Sequence, residues 1–398
     1  MTGIGVVSSI GIGKKDFWKN LIAGRSGINE VERFDTSLFP THRAGEVKDF
    51  KPDDFLSKTF SKLVGRGSQL AIAATQLALE DGSLDIKKAG PDSIGIIIGT
   101  TMGESPSIEI ADRYWLAKGE EDIYVSNVRN FPVNNLSDNV AHYFGLASYN
   151  YVISTACAAG NYSIGYAFDL IREGKKEMFL AGGADPLSRL AFTGFNRLFA
   201  MAPDKCRPFD KNRKGMMLGE GGAMLLIESH ESARKRGAEI YAEVLGYGLS
   251  CDAYNMTIPS QKGVVKVMEK AIKNSGIKKE GVDYISAHGT GTGLNDKTET
   301  AAIKEVFGEQ TKDIPVSSIK SMLGHTMGTA SALESISCCL AAKEGVIPPT
   351  INYETPDPEC DIDCVPNKAR KKEVRIALNN SFAFGGNNAC VVFGRHDE

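Results

Sequence analysis

One cysteine in this chain has neighbours that suit covalent chemistry. Cys157 lies in the segment 154–160, Ser-Thr-Ala-Cys-Ala-Ala-Gly, whose small residues leave room for a substrate to approach. The sequence predicts a strand before this segment and a helix after it, so the thiol lies near a helix N-terminus, where the dipole favours the nucleophilic thiolate. The pattern indicates a nucleophile, and the alternative is a buried structural cysteine.

Two histidines lie in glycine-rich turns that follow predicted strands. His288 opens the run His-Gly-Thr-Gly-Thr-Gly, and His325 lies in Leu-Gly-His-Thr-Met-Gly, five residues after Lys320. Active sites of open α/β sheets gather at such strand ends, although a lone histidine is more often structural. The histidines without such surroundings are assigned to the surface or to packing: His42, His142, His230 and His396.

A third glycine-rich segment, residues 379–388, reads Asn-Asn-Ser-Phe-Ala-Phe-Gly-Gly-Asn-Asn and follows another predicted strand. Phe382 and Phe384 flank Ala383 inside this turn. The pattern is typical of a mobile loop with an apolar gate. An ordinary hairpin turn with packed phenylalanines is the alternative.

Short β-branched runs alternate with helical patterns along the chain, which predicts an α/β protein with helix-covered sheets. A strand, a glycine-rich turn and a helix occur around Cys157 and again around His325, which suggests two similar halves that meet at one site. Strands are predicted at residues 93–101, 149–154, 177–182, 223–228, 240–246, 284–288, 316–319, 374–379 and 389–393. Helices are predicted at residues 69–80, 161–173, 263–275, 297–307 and 328–343.

Composition excludes several functional classes. The 398 residues are 42% hydrophobic and 24% charged with a net charge of −3, which is the balance of a globular protein without bulk attraction for nucleic acid. No apolar run approaches the roughly 18–20 residues that span a bilayer. The eight cysteines include no C-x-x-C pair, so we predict neither a metal site nor a disulfide framework, and a reducing, cytoplasmic setting.

The motifs together are far more specific than any one of them. The order S-T-A-C-A-A-G, G-E-G, A-H-G-T-G-T, K-S-M-L-G-H-T and N-S-F-A-F-G-G-N-N resembles the elongating β-ketoacyl-acyl carrier protein (ACP) synthases, especially synthase II of dissociated fatty acid synthesis. The resemblance covers essentially the whole chain. It implies the thiolase fold, with related α/β halves at residues 1–246 and 247–398 in a five-layered αβαβα core, usually as a homodimer.

The resemblance also implies roles for the residues of these motifs. Cys157 is the nucleophile that accepts the acyl group, and His288 and His325 act in decarboxylation. Lys320 is the buried lysine between the histidines, with Glu299 as its acidic neighbour. The implied reaction is a decarboxylative Claisen condensation, in which the acyl chain held on Cys157 and malonyl-ACP give β-ketoacyl-ACP.

Further residues are expected to hold the oxyanion or the substrate. The backbone amides of Cys157 and Phe384 match the oxyanion hole. Thr290 and Thr292 match hydroxyls that contact the phosphopantetheine arm, which the ACP carries, so no resident cofactor is expected. The other residues expected to bind substrate are Met102, Phe195, Phe382 and Ala383.

Two of these positions depart from the family pattern, and both bear on substrate choice. Ala383 replaces a glycine between the two phenylalanines, and alanine avoids backbone angles that glycine reaches. Met102 stands where a residue at the floor of the acyl pocket is expected, and a flexible methionine can repack. We therefore expect altered gate mobility and an altered preference for chain length.

An acidic carrier protein is expected to dock on basic residues near the pocket mouth. The candidates for this docking surface are Lys58, Lys62, Arg66 and Arg197. An ordinary solvated face is the alternative.

Other interpretations stay open beside the elongating synthase. A thiolase would carry a second cysteine where this chain has His325, and a synthase III would pair histidine with asparagine. A non-catalytic partner resembling a chain-length factor would lack the nucleophilic Cys157. A discrete polyketide-type ketosynthase fits the same residues, and a discrete enzyme is favoured over a piece of a multidomain synthase because no acyltransferase sequence follows.

Overall fold

The computed structural model describes residues 1–119 and 125–397. Its strands, in chain order, are β1 (Gly3–Ser8), β2 (Gly11–Ile12), β3 (Asn29–Glu30), β4 (Arg43–Ala44), β5 (Ile94–Gly99), β6 (Asn150–Ile153), β7 (Met178–Asp185), β8 (Gly221–Glu228), β9 (Glu243–Cys251), β10 (Tyr284–Ser286), β11 (Val316–Ser317), β12 (Val346–Ile347), β13 (Arg370–Lys371), β14 (Ile376–Phe382) and β15 (Asn387–Gly394). Its helices are α1 (Lys14–Ile22), α2 (Lys58–Leu63), α3 (Arg66–Asp81), α4 (Ile86–Ala89), α5 (Ser105–Lys118), α6 (Val125–Asn130), α7 (Asn135–Phe144), α8 (Ala159–Arg172), α9 (Arg189–Arg197), α10 (His230–Lys235), α11 (Gln261–Ser275), α12 (Gly293–Phe307), α13 (Lys320–Leu323) and α14 (Ala330–Glu344). Each strand and helix predicted from the sequence is confirmed, with ends shifted by a few residues.

The first sheet has the strand order β2-β1-β8-β7-β5-β6. Strand β5, the fifth in this order, runs parallel to both β6 and β7. Every residue of β5 is buried, because α3 and α7 cover one face of the sheet and α8 covers the other. This explains why the strand reads as a continuous apolar run rather than an alternating one.

The second sheet has the strand order β11-β10-β14-β15-β9. The helix α11 packs on its outer face and α14 on its inner face, against α8 of the first half. Three large apolar clusters fill the spaces between these layers. The order is therefore helix, sheet, helices, sheet, helix, and the predicted five-layered αβαβα core is confirmed.

The two central helices approach closely because their N-terminal turns are built from small residues. A Cβ on Gly160 of α8 would lie 2.7 Å from the backbone nitrogen of Ala332 in α14. The turns that lead into these helices match, because each is a short 3-10 turn, at residues 156–158 and 327–329. The repeat seen around Cys157 and His325 in the sequence is thus a repeat of structure.

The predicted division of the chain at residue 246 stays a prediction. Strand β9 crosses that position and belongs wholly to the second sheet. Within the described residues, no helix combines the length and the apolar character that crossing a bilayer requires.

Candidate active site

A cavity of about 450 Å³ lies where the glycine-rich turns of both halves meet. Cys157, His288 and His325 all lie on its wall. The residues predicted to touch substrate that also line it are Thr290, Thr292, Phe195, Phe382, Ala383 and Phe384. The predicted site residues that do not line it are Lys320, Glu299 and Met102.

The turn between β6 and α8 holds Cys157 rigidly. Ala156, directly before it, has φ +50°, a left-handed conformation that costs energy for any residue with a Cβ. The hydroxyl of Ser381 donates a hydrogen bond to the Cys157 carbonyl at 2.9 Å. Such strain persists only where the surroundings fix the backbone, and it commonly marks functional turns.

The helix N-terminus predicted beside Cys157 does not leave the thiol deprotonated at rest. Burial raises the pKa of the Cys157 thiol to about 11, although the Lys320 charge and the backbone N–H groups of Phe384 and Cys157 lower it. The carboxylate of Asp185 adds to the rise. Cys157 lies at a helix N-terminus as predicted, but burial raises the pKa of the thiol more than the helix N-terminus lowers it. The thiol is therefore neutral and needs a base during attack.

The same pair of N–H groups forms a candidate oxyanion hole. The amides of Phe384 and Cys157 are both directed at the sulfur, where the carbonyl of a bound thioester would lie. Phe384 is held by a turn in which Gly385 and Gly386 have φ +83° and +82°. A Cβ on Gly386 would lie 2.7 Å from the Cβ of Asp252, so this turn requires glycine.

The two histidine rings face each other nearly edge to face. The ring centroids of His288 and His325 are 5.4 Å apart with an interplanar angle of 82°. The Met327 N–H donates to Nδ1 of His325 at 3.2 Å, so that nitrogen is an acceptor and the ring proton belongs on Nε2. Burial and then the Lys320 charge lower the pKa of both imidazoles well below the ordinary value, so both are neutral N–H donors.

The ion-pair partner of Lys320 is Glu334; Glu299, the acidic neighbour predicted from the sequence, is close enough for the Lys320 charge to act on it but forms no ion pair with it. Lys320 and Glu334 form an ion pair, and their side chains are 2% and 1% exposed. Burial raises the pKa of Glu334 to about 7, and the Lys320 charge opposes that rise. The Lys320 charge acts on Cys157 and on both imidazoles and lowers the pKa of each.

Glu299 instead positions the turn that carries His288. Its carboxylate accepts hydrogen bonds from the N–H groups of His288 at 2.9 Å and Gly289 at 2.8 Å. Burial raises the pKa of this carboxyl to about 7. The residue therefore acts on the site through the backbone of the turn.

Sequence reasoning missed two buried acids, Glu334 and Asp185. Asp185, at the end of β7, accepts from the Met102 N–H at 2.7 Å and the Thr329 N–H at 3.1 Å, which joins turns from both halves. Burial raises the pKa of its carboxyl to about 6. A signal for Glu334 was present, since it is the one acid among the small and apolar residues 330–342.

The arm-binding hydroxyls predicted from the sequence lie on the cavity wall. The Oγ1 atoms of Thr290 and Thr292 are 2.9 Å apart. Thr292 is the N-cap of α12, and Thr290 lies two residues before it. Hydroxyls can donate and accept, so the pair suits the amides of an extended polar arm.

Met102 lies behind the cavity wall rather than on it. It packs in an apolar cluster with Phe195, Phe192 and Met216. The ring of Phe195 contacts the ring of Phe384, with centroids 5.7 Å apart. Met102 therefore lies in the apolar cluster behind the cavity wall. Ala383 has extended backbone angles of −114° and 153°, which alanine adopts without strain.

We predict that Met102→Gly lengthens the longest acyl chain accepted, because it opens space in the cluster behind Phe195. Ala383→Gly is expected to change the rate of Cys157 acylation by freeing the gate turn. Both are measured as acyl-enzyme formation across a panel of chain lengths. Profiles identical to wild type for both variants would exclude these positions as determinants.

The prediction that Arg66 helps to dock a carrier protein is wrong. Its side chain is only 9% exposed, and it forms an ion pair with the fully buried Glu220 at 2.8 Å. Burial alone would raise the pKa of Glu220, but the Arg66 charge holds it below its ordinary value. Lys58 and Lys62 are exposed on α2 and Arg197 is exposed at the end of α9.

We expect Arg66→Ala to lower the free energy of unfolding by about 3–5 kcal/mol, since it leaves a buried carboxylate without its cation. Lys62→Ala, as the matched control on the surface, is expected to change it by less than about 0.5 kcal/mol. Urea unfolding of both variants measures the difference. Equal stabilities would show that the Arg66–Glu220 pair contributes nothing to the fold.

Known structures define the class to which this fold and site belong, the thiolase-fold ketosynthases. The chain superposes on the ishigamide ketosynthase/chain length factor with a TM-score of 0.97 and 45% identity, covering 100% of this chain and 98% of the other. It superposes on a type II polyketide ketosynthase, solved in complex with its acyl-carrier protein, with a TM-score of 0.91 and 33% identity over 99% and 98% of the two chains.

The chain belongs to the beta-ketoacyl synthase family. Residues 1–233 match the family's N-terminal domain, and residues 241–354 match its C-terminal domain. A curated relative, the 3-oxoacyl-[acyl-carrier-protein] synthase 2 of Synechocystis sp., is 40% identical over 405 aligned positions, covering 100% of this chain and 97% of the relative. The resemblance inferred from the sequence motifs is thereby confirmed.

Proposed function

We propose that the protein elongates an acyl chain by decarboxylative condensation with malonyl-ACP and releases β-ketoacyl-ACP. The observation that carries the proposal is the convergence of a thiol, two neutral imidazoles and two backbone amides on one cavity. The relatives named 3-oxoacyl-[acyl-carrier-protein] synthase 2 support the reaction class. No cofactor resident in the protein takes part, because the phosphopantetheine arm arrives with the carrier protein.

In the first step, the Cys157 sulfur attacks the carbonyl carbon of an acyl thioester. A neutral imidazole takes the thiol proton, which the raised pKa of Cys157 requires. The N–H groups of Cys157 and Phe384 stabilise the tetrahedral oxyanion. The bond from the carbonyl carbon to the carrier's sulfur then breaks, and the carrier leaves as the thiol while the acyl group stays on Cys157.

In the second step, malonyl-ACP loses carbon dioxide and becomes an enolate. The N–H groups of His288 and His325 point at its thioester oxygen and stabilise the negative charge without a metal. The enolate carbon attacks the acyl carbonyl on Cys157, and the same two amides hold the second oxyanion. Collapse breaks the bond from the carbonyl carbon to the Cys157 sulfur and releases β-ketoacyl-ACP, and the Cys157 thiolate takes a proton from solvent to become the thiol again.

We also propose a homodimer that pairs through β6, in a cytoplasmic setting. β6 is the last strand in the order of the first sheet, with β5 as its neighbour, so its outer edge can accept another strand. Tyr151 on β6 and Tyr166 on α8 expose apolar ring surface beside this edge. All eight cysteines are free thiols, which suits a reducing compartment.

The test of the proposal is the covalent intermediate. After incubation with an acyl-ACP, mass spectrometry of the digested protein is expected to show the acyl mass on the peptide that contains Cys157. Cys206, which is buried near Thr290, and Cys251, which is exposed, serve as internal controls. An adduct confined to either control would overturn the assignment of the nucleophile.

A second candidate is a discrete polyketide-type ketosynthase. The 45% identity to the ishigamide ketosynthase/chain length factor favours it. The two candidates differ in the acyl chains that they extend, so elongation assays with saturated, unsaturated and β-keto acyl-ACPs distinguish them. If the protein extends saturated acyl chains efficiently and the other two types poorly, the result supports the fatty acid reaction.

A further inference from the structure

The cavity mouth is surrounded by five large apolar side chains that face solvent. All of them line the cavity, and they come from three separate segments of the chain. Their exposures are Phe199 93%, Met256 71%, Leu294 58%, Leu198 53% and Ile258 40%. Single exposed apolar residues are ordinary, but a ring of them around one opening marks a surface that something covers. We call these five residues the apolar collar.

Phe199 is the most unusual member of the collar. It has φ +53°, a conformation that is an outlier for a bulky residue and that glycine would adopt more easily. Hydrogen bonds fix this geometry, because the Phe199 N–H donates to the Asn196 carbonyl at 3.0 Å and the next N–H, of Ala200, donates to the Phe195 carbonyl at 3.1 Å. The strained backbone presents an aromatic ring to water, which does nothing for the stability of the isolated fold.

The opposite side of the collar is tied to the gate. Met256 lies in the loop between β9 and α11, and its carbonyl accepts a hydrogen bond from the Gly385 N–H at 2.8 Å. Gly385 directly follows Phe384, whose amide faces the Cys157 sulfur. A partner seated on Met256 therefore contacts a segment bonded to the oxyanion turn.

Two cations border the collar. Arg197 ends α9 directly before Leu198, and Lys214 lines the cavity mouth; both are exposed. Among the described residues, neither has an ion-pair partner within 4.0 Å, whereas the neighbouring Arg213 is paired with Asp357. The surface thus combines an apolar centre with positive charge at its edge, which complements an acidic protein that has an apolar patch.

We propose that the apolar collar, with Phe199 as its anchor, binds the protein face of the carrier protein around the attachment point of its arm. This inference rests on the proposed function, because the thioester that reaches Cys157 must pass through this mouth. The cations speed the encounter, and the contact with Phe199 and its neighbours sets the lifetime of the complex.

The test compares two acyl donors, the acyl-ACP and the same acyl group on free pantetheine. We expect Phe199→Ser to raise the ratio of the KM for acyl-ACP to the KM for acyl-pantetheine by about tenfold or more, as for a residue that dominates an interface. The effect is expected to persist at about 0.5 M salt, where charge contacts are screened. The matched control is Leu190→Ser, on the helix α9 that precedes Phe199, at a residue that is 58% exposed but does not line the cavity.

A second variant separates docking from folding. Phe199→Gly removes the same ring and relieves the positive φ, so we expect a higher melting temperature together with the same rise in the KM ratio. An unchanged KM ratio in both Phe199 variants would overturn the proposal. An equal rise in the KM values for the two donors would also overturn it, because Phe199 would then contact the pantetheine arm rather than the carrier protein. Failure of the wild type to acylate Cys157 from either donor would instead overturn the proposed function.

Discussion

Cys157→Gln is expected to abolish condensation while malonyl decarboxylation continues. The amide cannot accept an acyl group, but His288 and His325 still stabilise the enolate, because neither imidazole depends on the sulfur for its position. His325 is held through its Nδ1 by the Met327 N–H, and the turn of His288 is held by Glu299. The measurement is release of labelled carbon dioxide from malonyl-ACP, with product analysis for β-ketoacyl-ACP.

The matched experiment places His325→Ala in the Cys157→Gln background. Removing one oxyanion donor typically costs roughly 100–1,000-fold in rate, so decarboxylation is expected to fall by about that factor. His142→Ala, at a histidine on α7 whose ring stacks on Phe60, is the control and is expected to leave the rate unchanged. Decarboxylation that survives His325→Ala at full rate would exclude this histidine as a donor to the enolate oxygen.

Much of the fold was predictable because the central strands and helices are buried on both sides. Elements such as β5 and α14 must consist mostly of apolar or small residues, and the sequence shows that pattern. The glycine-rich turns after the strands could also be recognised, because backbones that approach within contact distance allow only small residues. The functional residues lie in these turns. The match between the turns at Cys157 and His325 follows from the repeated architecture.

The features of the site that could not be predicted depend on which side chains pair, and on how much water is excluded, in the folded chain. A lysine such as Lys320 can pair with Glu299 or Glu334 as far as sequence shows, and the packing of α14 against the site decides for Glu334. In the sequence, Arg66 is one of several basic residues on a helical segment, but in the fold it forms a buried ion pair with Glu220. The protonation state of Cys157 depends on how much water the site excludes, which no local pattern reports.

Lys320→Met is expected to destabilise the protein by about 3–5 kcal/mol, since it leaves Glu334 buried without its cation. The loss depends on pH with a definite sign. Without Lys320, burial holds the folded-state pKa of Glu334 further above its unfolded value. The folded variant then keeps a proton that the unfolded chain releases, so its stability falls as the pH rises above that unfolded value.

The double variant Lys320→Met/Glu334→Leu separates this structural role from catalysis. Replacing both charges with apolar groups of similar size is expected to restore most of the stability and to remove the added pH dependence. Turnover is expected to stay low, by about tenfold or more, since Lys320 lowers the pKa of Cys157 and of both imidazoles and one pKa unit is worth a factor of ten. The acid limb of the decarboxylation profile is expected to move to higher pH, because imidazoles without the nearby cation protonate more easily. A double variant that regains full turnover with an unshifted acid limb would show that the buried pair only supports the fold.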